Sequence, residues 1–163
     1  SINSNKIILA KKELENITQD HTLLQSNFES LEDLIKAEVI IKNQIKGKEY
    51  AEKALKYCEH PQGWYYWALA EYHRLNGDYK ESLKFMLKTS SQERDYYYIH
   101  VASCNWLIGN KEIAINNYKE LLEKTPNFNI KNYRSNRFIF EGKIISEFEN
   151  AFDSLADYYN TNE

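Results

Sequence analysis

Residues 95–126 have the sequence DYYYIHVASCNWLIGNKEIAINNYKELLEKTP. Apolar side chains recur three and four positions apart on both sides of Gly109-Asn110, which predicts two amphipathic helices. Gly109 predicts the end of the first helix, because glycine adopts the left-handed conformation that other residues resist. Pro126 predicts the end of the second, since proline cannot continue a helix. The stretch therefore predicts a helical hairpin.

The hairpin is one unit of a repeated pattern. Gly47, Gly77, Gly109 and Gly142 lie 30, 32 and 33 residues apart, each between segments with helical apolar spacing. Such a period, with a turn inside each unit, is typical of stacked helical hairpins. The predicted units cover 30–61, 63–94, 95–126 and 128–163, with an N-terminal helix and linker over 1–29. The 163 residues predict one domain.

The composition fits an all-helical, soluble protein. Only 2 Pro and 5 Gly occur, and 42% of the residues are hydrophobic. The net charge of −3 argues against a nucleic-acid partner, because nucleic-acid binders present a basic field. The sequence contains no run of 18 apolar residues, so it predicts no membrane span. We expect a cytoplasmic location, although a chain that begins at Ser1 leaves open an upstream segment that has been removed.

These units resemble the tetratricopeptide repeat (TPR) family. Its pattern has an aromatic, a Leu and a small residue in the first helix, a Gly before Asp or Asn in the turn, and a small and an aromatic residue in the second helix. The matching positions are Tyr66, Leu69, Ala70, Gly77, Asp78, Tyr79 and Ser82 in one unit, and Tyr98, Ala102, Gly109, Asn110, Ala114, Tyr118 and Pro126 in the next. Residues 33–61 and 128–159 match loosely. The resemblance implies an all-α solenoid: a TPR-like right-handed superhelical stack of helical hairpins with flanking terminal helices.

The resemblance also implies a concave groove lined by the first helix of each hairpin. Its predicted lining residues are Trp64, Trp67, Glu71, Arg74, Tyr96, Ile99, His100, Ser103 and Trp106. Trp, Tyr and Arg carry much of the energy at protein interfaces. We therefore expect a non-enzymatic adaptor that binds a peptide or protein segment with apolar anchors and a basic residue to meet Glu71. Packing of each Trp against a neighbouring unit is the competing interpretation.

Two more specific functions fit the same pattern. Small size and acidity suit a bacterial chaperone-like or immunity protein that masks one dedicated client. A self-associating scaffold is the other, in which the apolar stripe of the final helix pairs two chains as a homodimer. The stripe consists of Ile145, Phe148, Phe152, Leu155 and Tyr159. A terminal helix that covers the end of a stack explains the stripe equally well.

A secondary basic patch is predicted at Lys131, Arg134 and Arg137, which are spaced three residues apart. It would contact RNA or an acidic partner, and a solvated helix face explains the same spacing.

Residues suited to catalysis or metal binding form no recognisable motif. The four His lack HExxH spacing and Cys58 lies 46 residues from Cys104, so we expect no metal site and no cofactor. His100 and Cys104 lie one helical turn apart, which suits either a base–nucleophile pair or a small core cysteine. We expect two reduced, buried thiols and no enzymatic activity.

Overall fold

The computed structural model describes residues 45–57, 59, 63–89, 94–135 and 143–162. Every regular element in these ranges is an α-helix, so the predicted all-α class is confirmed. The helices are α1 (residues 45–57), α2 (Gly63–Leu75), α3 (Tyr79–Met86), α4 (Asp95–Leu107), α5 (Lys111–Lys124), α6 (Ile130–Ser135) and α7 (Lys143–Asn162). None of those helices, over the ranges given, is long and apolar enough to cross a membrane. The helix predicted within residues 1–29 lies outside the described residues.

Glycine turns close the two central hairpins as predicted. The φ angles are 74° at Gly77 and 90° at Gly109, in the left-handed region. The residue after each glycine donates its backbone N–H to the carbonyl five positions earlier, at 2.9 Å in the first turn and 2.8 Å in the second. These bonds satisfy carbonyls at the end of the first helix. Asp78 then caps α3 by accepting from the Glu81 backbone N–H at 3.4 Å, so one short turn ends α2 and begins α3.

The predicted turn at Gly47 is wrong. Residues 45–57 are continuously helical, and Gly47 lies inside α1. A Cβ at Gly47 would lie 3.9 Å from the Cβ of Ala68 in α2. Two small residues therefore face each other where α1 approaches α2, and a lone glycine inside a helix is tolerated at a modest cost. Gly142, the fourth glycine of the pattern, lies outside the described residues.

The two central hairpins pack against each other through α3 and α4. Each of the four helices in these hairpins, α2 to α5, buries a small side chain, which lets neighbouring helix axes approach closely. These side chains are Ala70, Ser82, Ala102 and Ala114. Tyr118 and Leu121 of α5 are also buried and fill space beside them. The alternation of small and large residues thus fixes the position of one hairpin on the next.

The final helix, α7, packs along α4 and to a smaller extent on α5. Three residues of its apolar stripe, Phe148, Phe152 and Leu155, lie inside the core of the chain, where Phe152 is 1% exposed. Phe152 meets the edges of Tyr118 and Phe128, with ring centroids 5.6 Å and 6.1 Å away. Phe148 is buried as well. These buried residues are therefore not a free surface for pairing two chains, which corrects the interface expected for a self-associating scaffold at Phe148 and Phe152.

Candidate functional site

The predicted groove residues fall into an open group and a covered group. Trp67 on α2 is 38% exposed and meets Tyr96 of α4 edge-on, with ring centroids 6.5 Å apart. We call these two residues the open aromatic pair. Ile99, His100 and Ser103 of α4 are instead buried, none of them more than 7% exposed. The expected open groove is therefore wrong along this part of α4.

The final helix, α7, lies along α4, and its Phe148 ring contacts His100 of the covered group. Trp106, near the end of α4, packs on Tyr158 of α7 with ring centroids 5.7 Å apart. The ammonium group of Lys111 lies 5.2 Å from the centre of the same indole. Trp106 therefore packs within the chain instead of lining an open groove. Trp64 lies in α2, and its side chain is outside the described part of the structure.

Glu71 and Arg74 form a two-bond ion pair within α2. The Arg74 Nη2 and Nε groups donate to the two Glu71 carboxylate oxygens at 2.9 Å and 3.3 Å. Both side chains are mostly buried, 16% and 18% exposed. The ring of Phe148 on α7 covers the guanidinium, 5.0 Å from ring centre to Cζ. The carboxylate expected to receive a partner's basic residue is therefore already paired inside the chain, which corrects that expectation.

His100 connects this ion pair to the neighbouring hairpin. Its Nδ1 lies 3.3 Å from Glu71 Oε1, and its Nε2 lies 2.6 Å from the Ser82 hydroxyl on α3. The same hydroxyl lies 2.7 Å from the backbone carbonyl of Ala70. We call Glu71, Arg74, His100 and Ser82 the buried polar cluster. The cluster joins α2, α3 and α4, and the Phe148 ring meets its imidazole edge-on at 5.6 Å.

The surroundings set the charge of this cluster at neutral pH. Burial alone would raise the pKa of Glu71, but the charge of Arg74 and the bond from His100 outweigh it and hold the pKa well below its ordinary value of 4.5. Burial lowers the pKa of His100 below 6.5, against the opposing effect of Glu71. Glu71 is therefore ionised at neutral pH and His100 is neutral.

We expect the free energy of unfolding to fall as the pH is lowered. The unfolded chain binds protons at His100 and Glu71 more readily than the folded chain does, because both pKa values are lowered on folding. The His100 contribution is present above about pH 6.5 and is lost as the pH falls below it. The Glu71 contribution is lost below about pH 4.5. Urea unfolding from about pH 7.5 to about pH 4 measures both phases.

The matched variant for this titration is His100→Gln, which removes the imidazole. Burial lowers the pKa of His73 as well, so we expect His100→Gln to lose part of the dependence between pH 7 and pH 5, not all of it. A dependence in this range that is identical in the variant and the unchanged chain would contradict the assignment.

Burial prevents Cys104 and Ser82 from acting as nucleophiles. Cys104 is fully buried, and burial raises the pKa of its thiol to about 12, so the thiol stays protonated. Ser82, His100 and Glu71 do follow the hydroxyl–imidazole–carboxylate order of hydrolases. Ser82 is completely buried, however, so a substrate carbonyl cannot reach its oxygen. In the described ranges no group of His, Cys, Asp and Glu side chains could hold a metal ion. Cys58 lies outside the described residues.

Arg134 of the predicted secondary basic patch is paired within the chain. Arg134 donates to both carboxylate oxygens of Asp153 at 2.9 Å and 3.1 Å, and to the backbone carbonyl of Glu149 at 3.0 Å. Its guanidinium also pairs with the Glu149 carboxylate. Arg134 thus fastens α6 to α7 instead of facing a polyanion. Lys131 is exposed, and Arg137 lies outside the described residues.

Sequence reasoning missed Ser82 as the partner of His100 and Phe148 as the cover of Arg74. A signal for the first was present, because Ser82 stands where the next hairpin has Ala114. A hydroxyl in place of a methyl at a close helix contact predicts a buried hydrogen-bond partner. The position of Phe148 gave no comparable signal, because a periodic stripe does not reveal which helix it will cover.

Comparisons with known proteins do not assign this arrangement to a family. Searches with protein-family models, against curated proteins and against solved structures find no match for the chain. Its function is therefore inferred from the geometry of the open aromatic pair and the buried polar cluster.

Proposed function

We propose that this chain is a non-enzymatic binding module that holds a peptide or protein segment at the open aromatic pair. The observation that carries the proposal is the exposure of Trp67, 38% of a large aromatic side chain, beside a Tyr96 from the next hairpin. Trp and Tyr are the residues most enriched at the energetic centres of protein interfaces. The pair brings α2 and α4 together at one surface, so a segment that crosses it contacts both hairpins.

The surface is held in place before a partner arrives. The α3–α4 contact fixes the two hairpins, and the buried polar cluster links α2 to α4 directly. Each ring has two side-chain torsions, so little conformational freedom is lost on binding. A pre-formed aromatic surface of this kind supports recognition without a large ordering cost.

The partner that fits this surface presents apolar anchors. The neighbouring carboxylate, Glu71, is engaged by Arg74 and His100 and offers no open charge. We therefore expect Leu, Phe or Pro side chains to meet the aromatic rings, rather than a basic residue. The architecture that we propose for the module is the TPR-like right-handed stack, and the glycine turns and the small residues between hairpins support it.

Capture of partners from a lysate of the native organism tests the proposal, with the intact chain compared with Trp67→Ala. Loss of a central Trp anchor at an interface typically costs about 2 kcal/mol or more, so we expect binding to weaken by about 30-fold or more. Titration of the captured partner against both proteins by calorimetry measures the change.

The matched control is Tyr57→Ala, which removes another exposed aromatic side chain, 73% exposed on α1. We expect this variant to bind as tightly as the unchanged chain, and circular dichroism should show equal helicity in all three proteins. A partner that binds the Trp67→Ala chain with unchanged affinity would place the interface elsewhere and refute the proposal.

A further inference from the structure

Within the buried polar cluster, a row of three hydrogen-bond contacts runs through His100 and Ser82 and has fewer hydrogens than contacts at neutral pH. Three contacts follow one another: Glu71 to His100, His100 to Ser82, and Ser82 to the carbonyl of Ala70. Each contact needs one hydrogen between its two heavy atoms. A neutral imidazole supplies one N–H and the hydroxyl supplies one O–H, while the ionised carboxylate and the carbonyl at the two ends only accept. Two hydrogens therefore serve three contacts.

One added proton would complete the row. An imidazolium donates from both ring nitrogens, so it would bond Glu71 with Nδ1 and Ser82 with Nε2. The hydroxyl would then be free to donate to the Ala70 carbonyl, 2.7 Å away. The added proton belongs on the imidazole and not on the carboxylate, because Arg74 donates two hydrogen bonds to Glu71 and stabilises its ionised form.

We propose that the buried polar cluster is a binding site for one proton in the folded chain, at which mild acidification converts His100 into an imidazolium bridging Glu71 and Ser82. The two hairpins stay joined through the completed row. The site gains one positive charge beside the ring of Phe148, which packs on both Arg74 and His100. The contact of Phe148 with Arg74 and His100, which holds α7 against the hairpins, therefore depends on pH.

The groups that face His100 define the electrostatics of this site. From α2 they are Glu71 and Arg74, and from α3 the uncharged Ser82. The neighbour on α4 itself is the protonated thiol of Cys104. From α7 the imidazole meets the Phe148 ring, and the charge of Glu149 acts on Arg74. The site therefore goes from one cation and one anion to two cations and one anion, which places proton uptake below the ordinary range of histidine.

Nuclear magnetic resonance of the ring nitrogens, followed from about pH 7.5 to about pH 4 on the whole chain, tests this proposal. We expect His100 to carry one ring N–H at neutral pH and two after titration, while the chain remains folded. The ring protons of Phe148 should shift with the same midpoint. Ser82→Ala removes the acceptor for the second N–H, so we expect its midpoint to fall by about one pH unit, the size of one lost hydrogen bond.

The chain offers a matched control for this variant in Ser103, a second completely buried serine, whose hydroxyl has no hydrogen-bond partner. Ser103→Ala should leave the His100 midpoint unchanged. Equal shifts in the two alanine variants would overturn the proposal. If Ser82→Ala does not fold, the titration of the unchanged chain tests the proposal by itself. A His100 that keeps a single ring N–H until the chain unfolds overturns the proposal. A titration of His100 in the folded chain, with the same midpoint as the Phe148 ring protons, supports it.

Discussion

Replacing Phe152 with alanine is expected to lower the free energy of unfolding by about 3–5 kcal/mol. The side chain is 1% exposed and packs between Tyr118 of α5 and Phe128 of the following loop. Removing it takes away the burial of a large ring and leaves a cavity that these two rings cannot close without moving. Urea unfolding followed by circular dichroism measures the change.

The control for this substitution lies on the same helix. Tyr158 is 43% exposed, so we expect Tyr158→Ala to cost about 1 kcal/mol or less. The two variants remove an aromatic ring from one helix and differ in burial. Comparable small costs in both would mean that α7 is not seated on α4 and α5 in solution.

A large cost at Phe152 would also bear on function. It would make α7 part of the folded core, so that the α4 surface beneath it is not available to a partner. The covered residues Ile99, His100 and Ser103 would then act in packing. Among the side chains that the structure describes, the open aromatic pair would remain as the exposed part of the predicted groove. The stability of α7 and the location of the binding surface are therefore connected.

The central hairpins could be predicted from sequence because their signals are local. Gly77 and Gly109 stand between amphipathic segments and are followed by Asp or Asn, and both have positive φ in the structure. Gly47 is followed by Lys48 and lacks this companion. A glycine alone does not end a helix when packing against another small residue, here Ala68, makes the helical position favourable.

The groove could be predicted only in part because its cover comes from far along the chain. The pattern of α4 shows which side chains share a face, and His100 and Ser103 do lie on one face with Tyr96. It does not show that a helix near residue 150 will lie on that face. The same reasoning predicts that Trp67 lies in the groove, and Trp67 is exposed. The local pattern therefore predicted faces, and long-range packing decided which part of each face stays open.

The prediction of a basic patch was wrong at Arg134 for a related reason. Their sequence spacing predicts that Lys131, Arg134 and Arg137 share one side of a helix. The contacts of Arg134 are decided instead by carboxylates on α7. Glu149 and Asp153 lie one helical turn apart there and both engage Arg134. A count of charges along one helix does not include the carboxylates that a later helix brings to it.

Replacing Glu71 with alanine is expected to lower the free energy of unfolding by about 2–4 kcal/mol. Arg74 would lose both of its carboxylate bonds while remaining beneath the Phe148 ring, and His100 would lose its Nδ1 contact. An unpaired charge in a mostly buried position accounts for most of this cost. The pair keeps some contact with solvent, which places the value below that of a fully buried pair.

A double-mutant cycle separates the ion pair from the packing around it. Arg74→Met keeps a long side chain under Phe148 and removes the charge, so Glu71→Gln combined with Arg74→Met leaves no uncompensated charge in the pair. We expect the double variant to be more stable than the sum of the two single changes predicts, because each single change strands one charge. Strictly additive costs would show that solvent screens the two charges. The contact of α2 with α7 would then depend on packing between the Phe148 ring and the aliphatic part of Arg74. The Glu71–Arg74 ion pair would contribute nothing to it.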